Sequence, residues 1–174
     1  MSLPGGGAAD RPGRSAFPDD PESAAAAEDV AVRVLAGAAQ SAAGLERRLR
    51  RRGFSELAAQ TATRAMVERG YVDDGALAES IAGRRQRSGH GRVHVAAELR
   101  ARGIDPDAIT TALGDIDQDA ERAAALELGR RLATRASRDI GDRQGRQRLG
   151  AALQRRGFDS ETVGWVLREL DRAG

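Results

Sequence analysis

Leu99-Arg100-Ala101-Arg102-Gly103-Ile104-Asp105 decides the fold, because the same corner stands again from Leu49 to Ser55 and from Leu153 to Asp159. Each copy is a helix stop joined to a helix start. With Gly103 at C′, Leu99 is the C3 residue and Ile104 the C″ residue, the apolar pair that meets in a Schellman ending. Gly53 sets Phe54 against Leu49 and Gly157 sets Phe158 against Leu153, glycine being the residue that reaches the left-handed conformation at little steric cost. Ser55, Asp105 and Asp159 then supply N-caps, Pro106 suits a first helical position, and Asp107 and Glu161 favour a positive helix end.

The copies also match outside the corner. Eight residues before each glycine stand Leu45, Val95 and Leu149, and six after it stand Ala59, Ile109 and Val163. Ten after come Thr63, Leu113 and Leu167, and thirteen after come Met66, Ile116 and Leu170. These are helical spacings, and glycines about fifty residues apart leave room for three short helices per unit. The expected fold is all-α, with three tandem three-helix repeats in an elongated array.

The expected divisions are a disordered acidic leader over 1–21, a first repeat over 22–70, a second over 71–114 and a third over 115–174. The first repeat takes helices over 22–35, from the Ser41 cap to Arg52, and from Ser55 to Arg69. Gly70-Tyr71-Val72-Asp73-Asp74 repeats the punctuation, with Tyr71 packing back toward Met66. The next helix carries Leu77, Ala78 and Ile81 inward and stops at Ser88-Gly89-His90-Gly91. Helices over 92–102 and 105–113 complete the second repeat. A capped start at 115–119 opens a longer helix ending near Arg138, an Arg-, Asp- and Gly-rich loop covers 139–145, and two helices over 146–156 and 159–171 close the chain.

Composition restricts the chemistry. With 174 residues, one Trp and one Tyr, the core is built from Ala, Leu and Val, which suits small units leaning on neighbours. No cysteine occurs, so disulfides and thiolate metal ligands are excluded and a reducing compartment fits. No apolar stretch is long enough to cross a bilayer and no signal leader opens the chain, so a soluble cytoplasmic protein without membrane contact is expected. The net charge is +2, yet the first 29 residues hold six acids against two arginines, leaving the remainder strongly basic. Every basic residue other than the two histidines is arginine, whose fork suits phosphates and carboxylates.

No catalytic constellation is assembled. The glycine run at 5–7 lies in the leader, and without lysine there is no Walker-type phosphate loop. His90, His94 and Glu98 have metal-ligand spacing, but His90 sits between two glycines in a break, so no metal or other cofactor is assigned. The informative chemistry lies in three arginine clusters on or beside the middle helix of each repeat. Arg47, Arg48 and Arg51 represent the first, Arg84, Arg85, Arg92 and Arg100 the second, and Arg130, Arg131, Arg146 and Arg155 the third. Units stacked in register would align them as a broken basic strip. The third helices carry few base-reading residues, and Phe54, Phe158, Tyr71 and Trp165 read as packing residues, so nucleic acid would be met through phosphates.

Gly70-Tyr71-Val72-Asp73-Asp74, Leu77-Ala78, Arg84 and Arg85, and Glu98-Leu99-Arg100-Ala101-Arg102-Gly103-Ile104 closely resemble the central motif of the RecX family, regulators of the RecA recombinase. The copies at 45–54 and 149–158 resemble that family's first and third repeats, so the likeness spans about residues 28–170. Ser80 stands where the family usually has an aromatic residue, Gly75 where it often has an acid, and the basic clusters lack the family's lysines. The resemblance implies a monomeric, non-catalytic protein lodged in the groove of the RecA filament on single-stranded DNA. There it would suppress ATP hydrolysis, strand exchange and co-protease activity, with the eleven arginines named above meeting RecA or DNA. The residues alone also admit a stand-alone nucleic-acid-binding repeat protein, or a helical adaptor for another partner.

Overall fold

Residues 18–135 and 143–173 are described in the computed structural model, and they form nine α-helices with no strand among them. The helices are α1 (Ala24–Gly37), α2 (Ala42–Arg51), α3 (Glu56–Glu68), α4 (Asp74–Arg87), α5 (Arg92–Arg102), α6 (Pro106–Gly114), α7 (Gln118–Arg135), α8 (Arg143–Arg155) and α9 (Ser160–Ala173). Helix packing follows chain order in threes: α1, α2 and α3 pack together, as do α4 to α6 and α7 to α9. Most of residues 1–21, and 136–142 with the reading made there, lie outside the described residues. At the boundary between the expected leader and first repeat, Pro21 O accepts from the Ser55 amide at 3.0 Å and Glu22 accepts from the Ser55 hydroxyl at 2.8 Å.

The corners form because their hydrogen bonds are entirely local. The Phe54, Ile104 and Phe158 amides donate to Leu49, Leu99 and Leu153 carbonyls at 3.3, 3.2 and 3.3 Å, with Gly53, Gly103 and Gly157 at φ +96, +76 and +84°. Those conformations admit glycine and strain any other residue. A fifth corner ends α4, where the His90 amide reaches Arg85 O at 3.0 Å over Gly89 at φ +71°, so the break expected there is built as a stop of the same kind. Ser23, Ser41, Ser55, Asp73 and Asp105 each cap the helix they precede.

Three separate cores result. Leu45, Leu49, Phe54, Ala59 and Met66 centre the first, Ile81, Val95, Leu99, Ile104 and Ile109 the second, and Ala125, Leu149, Leu153, Phe158 and Val166 the third. Fully burying a side chain such as Leu99 is worth about 1.5–3 kcal/mol. Two expectations need correction. Tyr71 is 63% exposed, and Val72, whose amide also reaches Met66 O, enters the first core in its place. Helix α8 begins at Arg143 rather than Arg146, with Gly145 already buried.

The units are joined helix end to helix end. Between the second and third, the Gly91 and Val93 amides at the start of α5 donate to Arg156 O and Gly157 O at 2.9 and 3.0 Å. They are orphan donors of one helix meeting orphan acceptors of another. A Cβ on Gly91 would lie 2.3 Å from Gly157 O, so the approach needs a residue without a side chain. Glu121 of α7, 3% exposed, completes the joint by accepting from both the Arg92 amide and Arg92 Nε at 2.7 Å.

Ser41, Ala42 and Arg47 perform the same service between the first and second units. Ser41 Oγ and Arg47 Nη2 donate to Arg102 O at 2.6 and 3.0 Å, and the Ala42 amide donates to Asp74 Oδ1 at 2.9 Å. Ser41 occupies the position of Gly91 and Ala42 that of Arg92, counted from the corner glycines. Both joints therefore set the start of a middle helix on the next unit's corner, capped by an acid from the next unit's first helix.

Removing the carboxylate in Glu121→Ala leaves Arg92 and its amide unpaired. We expect a loss of about 2 kcal/mol, seen in thermal melting as an earlier, separate transition of the third unit. A single unshifted transition would contradict the joint. Within the second unit, Glu98 accepts from Arg85 at 2.5 Å and from Arg102 at 2.9 Å, and chiefly the Arg85 hydrogen bond holds its carboxyl down to about 2. A depressed carboxyl stabilises the fold above its unfolded range near 4.5, and that stabilisation fades as pH falls toward 2. Because the arginines are a third or more exposed, solvent screening leaves about 1 kcal/mol. Glu98→Gln should cost that much in denaturant unfolding at pH 7, and the cost should shrink steadily as the pH is lowered from 4.5 toward 2.

Candidate functional site

The middle helices place Arg47, Arg48, Arg51, Arg92, Arg100, Arg146 and Arg155, whereas Arg84 and Arg85 lie on α4 and Arg130 and Arg131 on α7. Leu45 and Leu49 hold one face of α2 against the core, which leaves Arg47, Arg48, Arg50, Arg51 and Arg52 around the exposed remainder. Arg47, Arg50 and Arg51 line an open hollow of about 560 Å³ beside Phe54 and Glu56. Val95 and Leu99 turn Arg100 outward on α5 in the same way, and Leu149 and Leu153 do so for Arg155 on α8. Counted from the corner glycines, Arg50 corresponds to Arg100 and Arg51 to Arg155, while Arg52, Arg102 and Arg156 share one position.

The expected arginines divide by what they touch. Arg47 binds the Arg102 carbonyl across a joint, Arg92 pairs with buried Glu121, Arg85 with Glu98, Arg146 with Asp171, and Arg131 approaches Glu127 at 3.7 Å. These five spend their charge inside the chain. Arg48, Arg51, Arg84, Arg100, Arg130 and Arg155 are exposed and form no side-chain hydrogen bond or ion pair among the described residues. The structure thus brings Arg85 and Arg92 into scaffolding roles and leaves six side chains facing solvent.

Acids stand at two positions that recur past the corner glycines of the second and third units. The outward positions four and fourteen residues past the corner glycines are Asp107 and Asp117 in the second unit, and Glu161 and Asp171 in the third. All four are exposed; Glu161 pairs with Arg122 and Asp171 with Arg146, while Asp107 and Asp117 form no ion pair among the described residues. The first unit carries Leu57 and Val67 at those positions, 70 and 46% exposed.

The two histidines lie beside the joint between the second and third units. His90 and His94 stack with ring centroids 4.5 Å apart, and a Cβ on Gly157 would lie 2.3 Å from His94 Cβ. Burial first, then His94, Arg156 and Arg85, push the His90 pKa down, so this joint favours a neutral imidazole. Glu98, the third member of the sequence pattern, is turned to its arginines, and no group of three metal-ligating side chains gathers among the described residues. Nor is any described helix long and apolar enough to cross a membrane.

Sequence reasoning missed Glu121, Asp74 and Gly91, which hold the units together. One signal was present: Glu121 stands four and seven residues before Ala125 and Leu128, a carboxylate on an apolar helical stripe.

Comparison with known proteins agrees with this architecture. The model of the RecX second three-helix domain matches residues 73–113, and that of the third three-helix domain matches 119–167. The regulatory protein RecX of Mycobacterium sp. (strain JLS) is 34% identical over 171 residues, covering 94% of this chain and 93% of that one. Its counterpart in Stenotrophomonas maltophilia (strain R551-3) is 34% identical over 119 residues, 68% of this chain and 71% of that protein. The crystal structure of RecX from Lactobacillus salivarius superposes with a TM-score of 0.77 at 20% identity, covering 85% of this chain and 96% of that chain, and so shares the fold. Three jointed triads, the two matching domain models and relatives alike over almost the whole length place this chain in the RecX family of regulatory proteins.

Proposed function

We propose that this protein is a non-catalytic inhibitor of the RecA recombinase. It lies as a monomer in the groove of the RecA filament on single-stranded DNA in the cytoplasm, suppressing ATP hydrolysis, strand exchange and co-protease activity. The observation that carries this reading is the set of six unpaired arginines, Arg48, Arg51, Arg84, Arg100, Arg130 and Arg155, spread over all three units. Both joints set the start of a middle helix on the last carbonyl before the next corner glycine, Arg51 and Arg155 share one position counted from those glycines, and we read the other four as extending them into a broken basic strip. A groove lined by acidic side chains and phosphates suits such a strip. The repeats over 22–70, 71–114 and 115–174 then act as successive weak contacts whose tethering multiplies their affinity.

The third helices α6 and α9 bear the exposed acids Asp107, Glu161 and Asp171, and carboxylates on a helix set against a duplex would repel its phosphates, which favours this reading over duplex readout. A stand-alone nucleic-acid binder would need no recombinase, and that difference separates the two.

Titration into RecA, single-stranded DNA and ATP should lower ATP hydrolysis and strand exchange at stoichiometric protein. Unchanged rates would overturn the reading, and tight binding to bare DNA with unchanged rates would support the alternative. Reversing Arg84 and Arg100 to Glu should weaken filament binding about tenfold or more, roughly 1.4 kcal/mol, with helicity retained. Where those side chains meet phosphates, each loss should flatten the salt dependence of log K by about 0.7.

A further inference from the structure

The third unit keeps open a face that the first two units use. On α2, Ala43 and Arg47 receive the next unit's corner, a Cβ on Gly103 lying 2.8 Å from Ala43 Cβ and 2.9 Å from Arg47 Nη1. Counted from the corner glycines, the corresponding residues of α8 are Gln147 and Ala151. Both line an open groove of about 600 Å³ between α8 and α9, floored by Gly150, Val163 and Leu167 and edged by Gln154. Gly150 keeps the floor low, since a Cβ there would lie 3.6 Å from Val163 Cγ1 and 3.8 Å from Leu167 Cδ1.

We propose that this groove docks an acidic amphipathic helix of the protein partner, which takes the place that a fourth repeat would fill. The proposal rests on the reading that the partner is the recombinase filament. Its first support is continuity with the two internal joints, each of which seats a neighbour's helix corner on this side of a middle helix together with a neighbour's carboxylate, Asp74 or Glu121. Charge is the second. Arg143 stands on the rim together with Arg146, whose guanidinium pairs with Asp171, and no acid is among the lining residues, so an incoming carboxylate is received by Arg143.

Other occupants fit less well. A second copy of this chain would present its first unit, whose corner carries Arg50, Arg51 and Arg52 toward an arginine rim. Its α1 begins with Ala24, where α4 has the capping acid Asp74. Nucleic acid would set phosphates over a floor of Val163 and Leu167, which gives them no partner.

The test places a photo-crosslinker, p-benzoylphenylalanine, at exposed Gln154 of the full chain and, as a control, at exposed Thr110 of α6. Each protein is irradiated with RecA, single-stranded DNA and ATP. From Gln154 we expect a crosslink to one recombinase helix bearing carboxylates, at least tenfold above that from Thr110. Crosslinking to DNA, to a second copy, or at the control level while inhibition persists would overturn the groove alone. Loss of any effect of the unmodified protein on ATP hydrolysis would instead take down the parent reading and this one with it. Gly150→Leu, which fills the floor, should raise the concentration for half-inhibition about tenfold at unchanged helicity and melting temperature; an unchanged concentration would also overturn the proposal.

Discussion

Everything in this molecule depends on helix ends satisfying one another. A short helix leaves free amides at its start and free carbonyls at its end, and nine short helices accumulate many of both. Within each unit the corner glycines fold part of that deficit back on the same helix. Between units, the start of α5 meets the end of α8, and the start of α2 meets the end of α5. The difference between the joints follows from one position. Serine at 41 reaches the corner with its hydroxyl, whereas glycine at 91 lets the backbone itself close to hydrogen-bond distance.

That arrangement explains how a chain poor in aromatic residues holds an ordered array. Three small cores, of eleven, ten and six buried apolar side chains among the described residues, are individually modest. Coupling through buried polar contacts makes neighbours stabilise one another, as in other repeat proteins. It also commits part of the charge. Arg47 and Arg92 serve the joints, and Arg85 with Arg102 fixes Glu98. Arginine is therefore structural where it can reach a neighbour's acceptor, and available to a partner where the corner points it to solvent.

The features legible in the sequence are those whose physics is local. A Schellman ending joins residues five apart, so Leu49 with Phe54, Leu99 with Ile104 and Leu153 with Phe158 announce themselves, and with them the number of units. Tyr71 misled because two successive amides reach Met66 O, and the apolar residue that turns inward is the second, Val72. The early start of α8 escaped although Asp142, a residue type that caps helices, stands directly before Arg143, because the Arg, Asp and Gly content of 139–145 reads as a loop. The joints were illegible for a different reason: Arg92 and Glu121 are 29 residues apart, and nothing near either marks the other. Hence the arginines were visible as clusters, while their division into paired and unpaired groups needed the three-dimensional arrangement.

Hydrogen exchange of individual amides in the free protein tests the joints most directly. Residues at the first positions of a helix ordinarily exchange fast, because no preceding carbonyl holds them. The account predicts that the Ala42, Gly91 and Val93 amides exchange as slowly as amides in the middle of α2 and α5. Exchange at the rate of unprotected amides at all three would show that the units are merely strung together, and would contradict the shared alignment on which the arginine strip relies.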